Sequence, residues 1–389
     1  MSHQLWPRFS AVAVTASLAL LVGVNADAGE VPATVRTAAA RAQALASTLS
    51  ASQLAGQRVI YSYSGRTPPA GLLQLIRRGE AGGVIFFAGN FHDRTQFTAA
   101  VRKLEAANAS KSNPARGYPL LLMTDQEGGQ VRRLPGAPVR SAKWIGSRAG
   151  ASARALQARK AGQGAGQNLL SFGLNVNLAP VLDVFRTPGD FDDQYQRSYS
   201  DNPRIVSTLG ADFITAQQAV GVAATAKHFP GLGAATTSQN TDLRPVVIRT
   251  PAKTVQAVDE YPYQAAIVAG VKLVMVSWAR YPGLGSGSPA GLSSAIVQGQ
   301  LRQRLGFKGV TITDAIGAGA LRTIGSTQTR AVKAAQAGMQ LILSAGQTPS
   351  EGQRCLDGLL GSFRSGKLSR AAFRATVTQI LQLRASLPA

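Results

Sequence analysis

Cysteine and histidine are nearly absent from this sequence: 389 residues hold one cysteine and three histidines. A disulfide framework is excluded, and a Cys/His metal cluster has almost nothing to draw on. Neither a metal site nor a cofactor is therefore expected. Acidic residues are scarce too, 19 against 41 basic, for a formal charge of +22. That balance favours anionic partners such as cell-wall polymers or lipid headgroups. No dense Lys/Arg run and no basic–aromatic interleaving marks a nucleic-acid surface, so no nucleic-acid partner is expected. Charge this dispersed also serves as plain solvated surface.

Long apolar runs are missing as well. Ala11 to Val24 is about 14 residues long, short of the roughly 20 that a membrane helix needs. Arg8 precedes it and Ala26-Asp27-Ala28 follows, so residues 1–28 read as a cleavable signal peptide, with an uncleaved anchor as the alternative. The expected location is secreted or associated with the cell envelope. Removal of 1–28 takes Arg8 and Asp27 together and leaves the net charge unchanged. The lone Cys355 shares a helical face with Leu356, Leu359 and Phe363, which reads as a small buried hydrophobe.

Beyond residue 30, short apolar runs rich in Val, Ile and Leu alternate with helical stretches. Strands are expected near 57–63, 83–88, 119–124, 175–183, 222–228, 271–278, 309–313 and 339–344. Helices are expected near 34–54, 68–79, 94–110, 151–172, 203–220, 254–269, 293–305, 327–338, 350–364 and 368–386. Continuous apolar strands separated by helices argue for a parallel sheet covered on its outer face. Eight of them predict an α/β fold of the (β/α)8 TIM-barrel type, one domain over 29–389. The alternative is an open doubly wound sheet, against which stands the lack of a G-x-G-x-x-G turn after the first strand.

Polar residues stand where strands end: Asp125, Asp183, Lys227 with His228, and Asp314. One buried acid is usually a hydrogen-bonding residue of the framework. Several converging at the C-terminal edge of a parallel barrel point to a polar pocket. The run Gly309-Val-Thr-Ile-Thr-Asp314, a β-branched strand ending in a carboxylate, is the sharpest instance.

Asp125-Gln-Glu-Gly-Gly129 with Arg133, Lys227-His-Phe-Pro-Gly231, Arg197-Ser-Tyr-Ser200, the Asn177 to Asp183 strand and Thr313-Asp314 together resemble glycoside hydrolase family 3. The closest branch is the single-domain bacterial β-N-acetylglucosaminidases, and the likeness runs from about residue 50 to 385. It implies an exported retaining β-glycosidase acting on a terminal β-linked hexosamine or related sugar, with Asp314 as nucleophile. It implies that Asp125, Arg133, Arg197, Lys227 and His228 bind the sugar. Other readings stay open for three of them. Arg197 could pair with Asp192 or Asp193, His228 could hold its loop, and Glu127 could orient the glycine turn.

The sequence departs from that pattern at the proton donor. The branch carries a His–Asp pair on the loop after its K-H-F-P-G-H-G motif. Here the second histidine of the motif is Leu232, and the pair falls on Ser238-Gln239-Asn240. Beyond residue 28 the only histidines are His92 and His228, so no histidine donor can come from this loop. Three accounts remain. Asp242, on the same loop, acts as acid/base. Or the enzyme works without strong acid assistance, on activated leaving groups or with phosphate as acceptor. Or the protein is an impaired or inactive cell-wall glycan-binding descendant, with peptidoglycan fragments as ligands. Trp278 stands where the family often has histidine, and could either face a sugar or pack against barrel neighbours. Oligomeric state is not legible.

Overall fold

The computed structural model of the protein describes residues 33–388, so the signal-peptide expectation lies outside the described residues. Eight parallel strands form a ring: β1 (Val59–Tyr61), β2 (Gly83–Ile85), β3 (Leu121–Thr124), β4 (Val176–Asn177), β5 (Ala223–Phe229), β6 (Leu273–Val276), β7 (Val310–Thr313) and β8 (Ile342–Leu343). Each pairs with its successor up to β7, and β8 pairs with β1 in the register Val59 to Ile342. A bridge between Ile312 and Leu341 closes the ring between β7 and β8. The expected (β/α)8 barrel is present, and every strand falls inside its predicted window except β5, which runs one residue past it to Phe229.

Parallel neighbours need crossovers, and helices such as Arg94–Asn108, Ala151–Leu170, Pro203–Ala219 and Thr327–Ala337 supply them on the outside. The helix predicted over 34–54 is two helices, Ala33–Thr48 and Ala51–Gly56. Ser50 separates them: its Oγ accepts from the Gln53 amide while the Gln53 side chain accepts from the Ser50 amide. That reciprocal cap starts a new helix whatever the apolar pattern does. Two short helices, Ala142–Gly146 and Phe191–Gln194, lie where no element was predicted. Helices of about one turn are too short for a 3.6-residue period to register. The helices expected near 254–269 and 293–305 include wider π-type turns at Val255–Asp259 and Ala295–Arg304.

The barrel interior is packed by side chains such as Ile60, Met123, Val176 and Ile312. Its uppermost layer is Ile85, Leu178, Met275 and Leu343, from or beside β2, β4, β6 and β8. Layers contributed by alternate strands are how such barrels fill their bore. The consequence for function is direct: even strands floor the pocket with hydrocarbon, and odd strands β3, β5 and β7 are free to raise polar groups above it. Outside the ring, Cys355 is fully buried, and burial pushes its thiol up, which keeps it inert. Among the described residues no helix is long and apolar enough to cross a membrane.

Candidate active site

A cleft of about 310 Å³ opens at the C-terminal edge of the strands. Asp125, Arg133, Arg197, Lys227, His228, Asp242 and Asp314 all line it. Asp125 follows the end of β3, Lys227 and His228 lie in β5, and Asp314 follows β7. Arg197 comes from the loop after β4, Asp242 from the loop after β5. Seven residues spread over 190 positions thus face one space of monosaccharide size.

The floor of charge is an ion-pair chain. Lys227 Nζ bonds Asp125 Oδ1 at 2.7 Å and Glu127 Oε1 at 2.8 Å. Arg197 forks onto Glu127, with Nε to Oε2 and Nη2 to Oε1 both at 2.9 Å, and its Nη1 reaches Asp192 Oδ1 at 2.5 Å. Arg133 is looser, 4.0 Å from Asp125 Oδ2. Burial opposes charge on Glu127, but Arg197 and Lys227 overcome it and hold the carboxyl well below its usual range. Burial likewise opposes the Lys227 ammonium, and Asp125 with Glu127 reverses the balance and raises it. Both groups are therefore charged at neutral pH, and the second oxygen of Asp125 lies on the side occupied by Arg133. An arrangement of this kind offers fixed donors and acceptors to sugar hydroxyls.

The wall beside it is a second polar cluster. His228 Nδ1 lies 2.7 Å from Asp183 Oδ2, and Asp183 Oδ1 accepts from the amides of His228 (3.3 Å) and Leu232 (2.6 Å). His228 Nε2 stands 3.4 Å from Arg197 Nη2. Burial disfavours the imidazolium, and the adjoining Asp183 carboxylate outweighs it, raising the histidine and lowering the acid. Asp192 behaves oppositely. Burial, with Asp183 adding repulsion, outweighs Arg197 and pushes it up to about 7. Its Oδ2 has no partner. One ligand atom each from Asp183, Asp192 and His228 lies within 4.8 Å of the others. The Arg197 guanidinium and the imidazole already neutralise this group, so its electrostatics disfavour a divalent cation. The alternative reading of His228 as a loop-holding residue fits the Asp183 bond, and its place in the cleft lining is compatible with the binding one.

Asp314 is half-buried, and the Ala315 amide donates to its Oδ1 at 2.7 Å. That bond leaves Oδ2 without a backbone donor. Facing the same cleft is Asp242, whose carboxyl is raised by desolvation first and by the charge of Asp314 second. The residue is open to the cleft, so the desolvation comes from the surrounding walls rather than from burial in the core. Its loop is tied to the loop after β7 by backbone bonds: Gly319 N to Asp242 O at 2.7 Å and Ala320 N to Thr241 O at 2.9 Å. The two acids are thereby carried on loops that are stitched to each other.

Trp278 does not face the cleft. It is fully buried, its indole Nε1 donates to Ala315 O at 2.8 Å, and its ring packs against Gly291. The sugar-facing reading is corrected to packing, with the added consequence that Trp278 holds the residue next to Asp314. His92 is exposed and sits 3.8 Å from Asp93, away from the cleft lining. Arg197 does pair with Asp192, as the alternative reading had it, and in doing so remains a cleft residue. Glu127 is more than a turn-former, because it bridges Lys227 and Arg197. A sequence signal for this existed: Asp125 and Glu127 are two apart in extended chain, so their side chains fall on one face. Gln126 between them points the other way and pins the hairpin Gln126–Gly128 to Val131–Arg132, donating to the carbonyls of Leu134 and Ala137.

Comparison with known proteins identifies the family. The model of the glycosyl hydrolase family 3 N-terminal domain matches residues 53–383. A protein of Arthroderma benhamiae named an uncharacterized secreted glycosyl hydrolase is 42% identical over 336 residues, 86% of this chain and 93% of its own. The family 3 β-N-acetylglucosaminidase of a Paenibacillus species superposes with a TM-score of 0.80 at 31% identity, covering 87% of this chain and 63% of that one. The β-N-acetylhexosaminidase of Beutenbergia cavernae superposes with a TM-score of 0.77 at 29% identity, covering 86% of this chain and 98% of that one. The chain belongs to glycosyl hydrolase family 3, its described residues form the (β/α)8 barrel of that family, and it is a glycoside hydrolase.

Proposed function

We propose that the protein is an exported, retaining β-glycosidase that releases a terminal β-linked N-acetylhexosamine, with Asp314 as nucleophile and Asp242 as acid/base. The observation that carries this reading is the pair itself: Asp242 and Asp314 face one cleft, and the former is raised partly by the charge of the latter. Two carboxyls facing one cleft, one of them raised by its surroundings, are the groups that two-step glycoside cleavage requires.

In the first step an Asp314 oxygen attacks the anomeric carbon. The C1–O bond to the aglycone breaks, and Asp242 gives its proton to the departing oxygen. In the second step the Asp242 carboxylate takes a proton from water, the hydroxide attacks C1, and Asp314 leaves with its electron pair. Asp125, Lys227, Arg197, His228 and Arg133 hold the sugar hydroxyls meanwhile. The relatives named β-N-acetylglucosaminidase and β-N-acetylhexosaminidase support the choice of sugar. Export rests on the Arg8, Ala11 to Val24 and Ala26 to Ala28 pattern, and wall glycans are then the natural source of substrate.

The test is Asp314→Asn assayed on a 4-nitrophenyl β-N-acetylglucosaminide. Turnover is expected to drop by at least three orders of magnitude, and product from the wild type to keep the β configuration by NMR. Unchanged turnover in the variant removes Asp314 from the mechanism. Sugar binding by the wild type with no turnover on any aryl glycoside favours the glycan-binding alternative instead.

A further inference from the structure

The excess of positive charge is not uniform. No acidic residue stands between Glu127 and Asp183, a stretch that starts in the cleft wall and wraps the neighbouring rim. The fold gathers its arginines. Arg140 and Arg148 both lie over the Trp144 indole, at 4.7 Å and 4.1 Å from the ring centre. Arg154 donates to the Arg148 carbonyl at 3.1 Å. Arg132 donates to the carbonyls of Gly129 and Gly136, and Gly129 N bonds Val139 O, which brings Arg132 beside Arg140. Lys143 and Arg159 of the same stretch are engaged by Asp193 and Asp212. Among the described residues Arg132, Arg140, Arg148 and Arg154 have no such carboxylate.

This ridge is continuous with the cleft. Val131 and Arg133 line the cleft, and Arg132 between them is exposed, as extended chain alternates. The helix Ala142–Gly146 that carries Trp144 is bolted to the opposite rim. Lys143 N donates to Gln196 O, and Ser141 Oγ donates to Gln196 Oε1. Gln196 is held at φ 59°, a left-handed conformation unusual for a non-glycine residue, directly after the cleft-lining Tyr195. Strain held by surrounding bonds at a rim position marks geometry that the fold enforces.

We propose that the ridge Arg132–Arg140–Trp144–Arg148–Arg154 binds a carboxylated glycan chain whose terminal sugar enters the cleft. The proposal rests on the glycosidase reading and names the class of its substrate: an acidic polymer rather than a neutral one. The ridge guanidiniums carry no carboxylate partner among the described residues, and the N–H groups left over from carbonyl and hydroxyl bonds can take a planar carboxylate with charge-assisted hydrogen bonds. The exposed Tyr195 ring offers an apolar face to a sugar that follows the first, while the Trp144 indole holds the two guanidiniums stacked on it in place. A cleft sized for one ring makes a glycan, rather than a nucleic acid, the polymer that can use both surfaces.

The experiment measures binding of fluorescent polygalacturonate oligomers to the full chain by anisotropy at low salt, where surface charge is least screened. Arg140→Ser/Arg148→Ser is compared with Arg364→Ser/Arg370→Ser, which removes the same charge from the far end of the chain. The ridge pair is expected to weaken Kd at least tenfold and the control pair less than twofold. Neutral dextran is expected to bind neither protein, and turnover of a neutral aryl glycoside to stay unchanged in the ridge pair. Arg132→Ser, outside the indole stack, is a second ridge variant should the pair fold poorly, and is expected to weaken Kd severalfold. Equal losses in ridge and control pairs, or no binding by the wild type, overturn the ridge. Tighter binding of poly(glycerol phosphate) overturns the carboxylate assignment, and tighter binding of single-stranded DNA overturns the glycan. A wild type that binds polygalacturonate but cleaves no aryl glycoside defeats the glycosidase reading alone.

Discussion

At the scale of single residues, the chemistry turns on which carboxyls are held ionised and which are not. Glu127 is clamped between Lys227 and Arg197 by three charged contacts, which hold it ionised near neutrality. Asp242 has no cation bonded to it, and the walls and Asp314 favour its protonated form. That difference makes Asp242 the proton donor in our mechanism, and it fixes the sign of the pH dependence. A donor must be protonated, so cleavage of substrates with poor leaving groups falls as pH rises through the raised carboxyl. Asp242→Asn is expected to cost about 10²–10⁴-fold in kcat on an N-acetylglucosamine disaccharide. On a dinitrophenyl glycoside, whose leaving group needs no proton, kcat/KM is expected to fall less than tenfold, while kcat falls because Asp242 also serves the second step. The basic limb of the disaccharide pH–rate profile should also vanish. Equal losses of kcat/KM on both substrates exclude Asp242 from the donor role. The candidate was legible only because histidine was absent from the loop; that its carboxyl is raised depends on walls from three other loops, which no local pattern records.

At the scale of elements, the site depends on two loops being held in register. The loop after β5 is anchored by Leu232 N on Asp183, by Phe191 N on Ala235 O and by the stitches from Gly319 and Ala320. Gly319 sits where a Cβ would come 2.3 Å from Leu243 O and 2.8 Å from Asp242 O. Only glycine allows that approach, and the neighbour is backbone, which cannot swing aside. Gly319→Ala is therefore expected to push the Asp242 loop off the cleft while the barrel stays folded. The signature is the same leaving-group selectivity as Asp242→Asn, with a melting temperature within a few degrees of wild type. A uniform loss on all substrates, or none, contradicts the stitch. Elements of this kind show why strands were readable and loops were not. β1 to β8 are buried on both faces, so their apolar runs report position directly, as Val310 to Thr313 does ahead of Asp314. The break at Ser50, the helix carrying Trp144 and the contact of Gly319 with Leu243 depend on capping and on partners far away in sequence. Strand-end polar residues meet in one cleft because parallel barrels present them together, whereas Trp278 was ambiguous because an apolar strand end can turn inward or outward.

At the scale of the whole molecule, the two ends of the barrel treat charge differently. Inside the cleft, buried cations are matched by carboxylates. At the opposite end, buried arginines are matched by main-chain carbonyls. Arg384, in the C-terminal helix Arg370–Ala385, is fully buried and donates to Pro119 O at 2.8 Å and Tyr118 O at 2.7 Å, just ahead of β3. It also bonds the Gln57 side chain, just ahead of β1. Arg58 does the same for β8 through Met339 O at 2.7 Å and Gln340 O at 3.1 Å. The last helix and the first strand thus gather the chain segments entering three strands, and help keep the ring closed where no active-site group contributes. Burial lowers Arg384 to about 9, still charged at neutral pH, so its donors stay engaged across the working range. Arg384→Met keeps much of the volume and removes every donor. Two buried carbonyls then lose partners at roughly 1–3 kcal/mol each, so stability is expected to fall by about 2–5 kcal/mol. Urea denaturation should show an earlier midpoint at unchanged slope. Because the cleft lies at the other end, KM for an aryl glycoside at 25 °C should not move while the protein remains folded. An unchanged midpoint means that water replaces the guanidinium at those carbonyls, and that the ring is closed by strand pairing and packing alone.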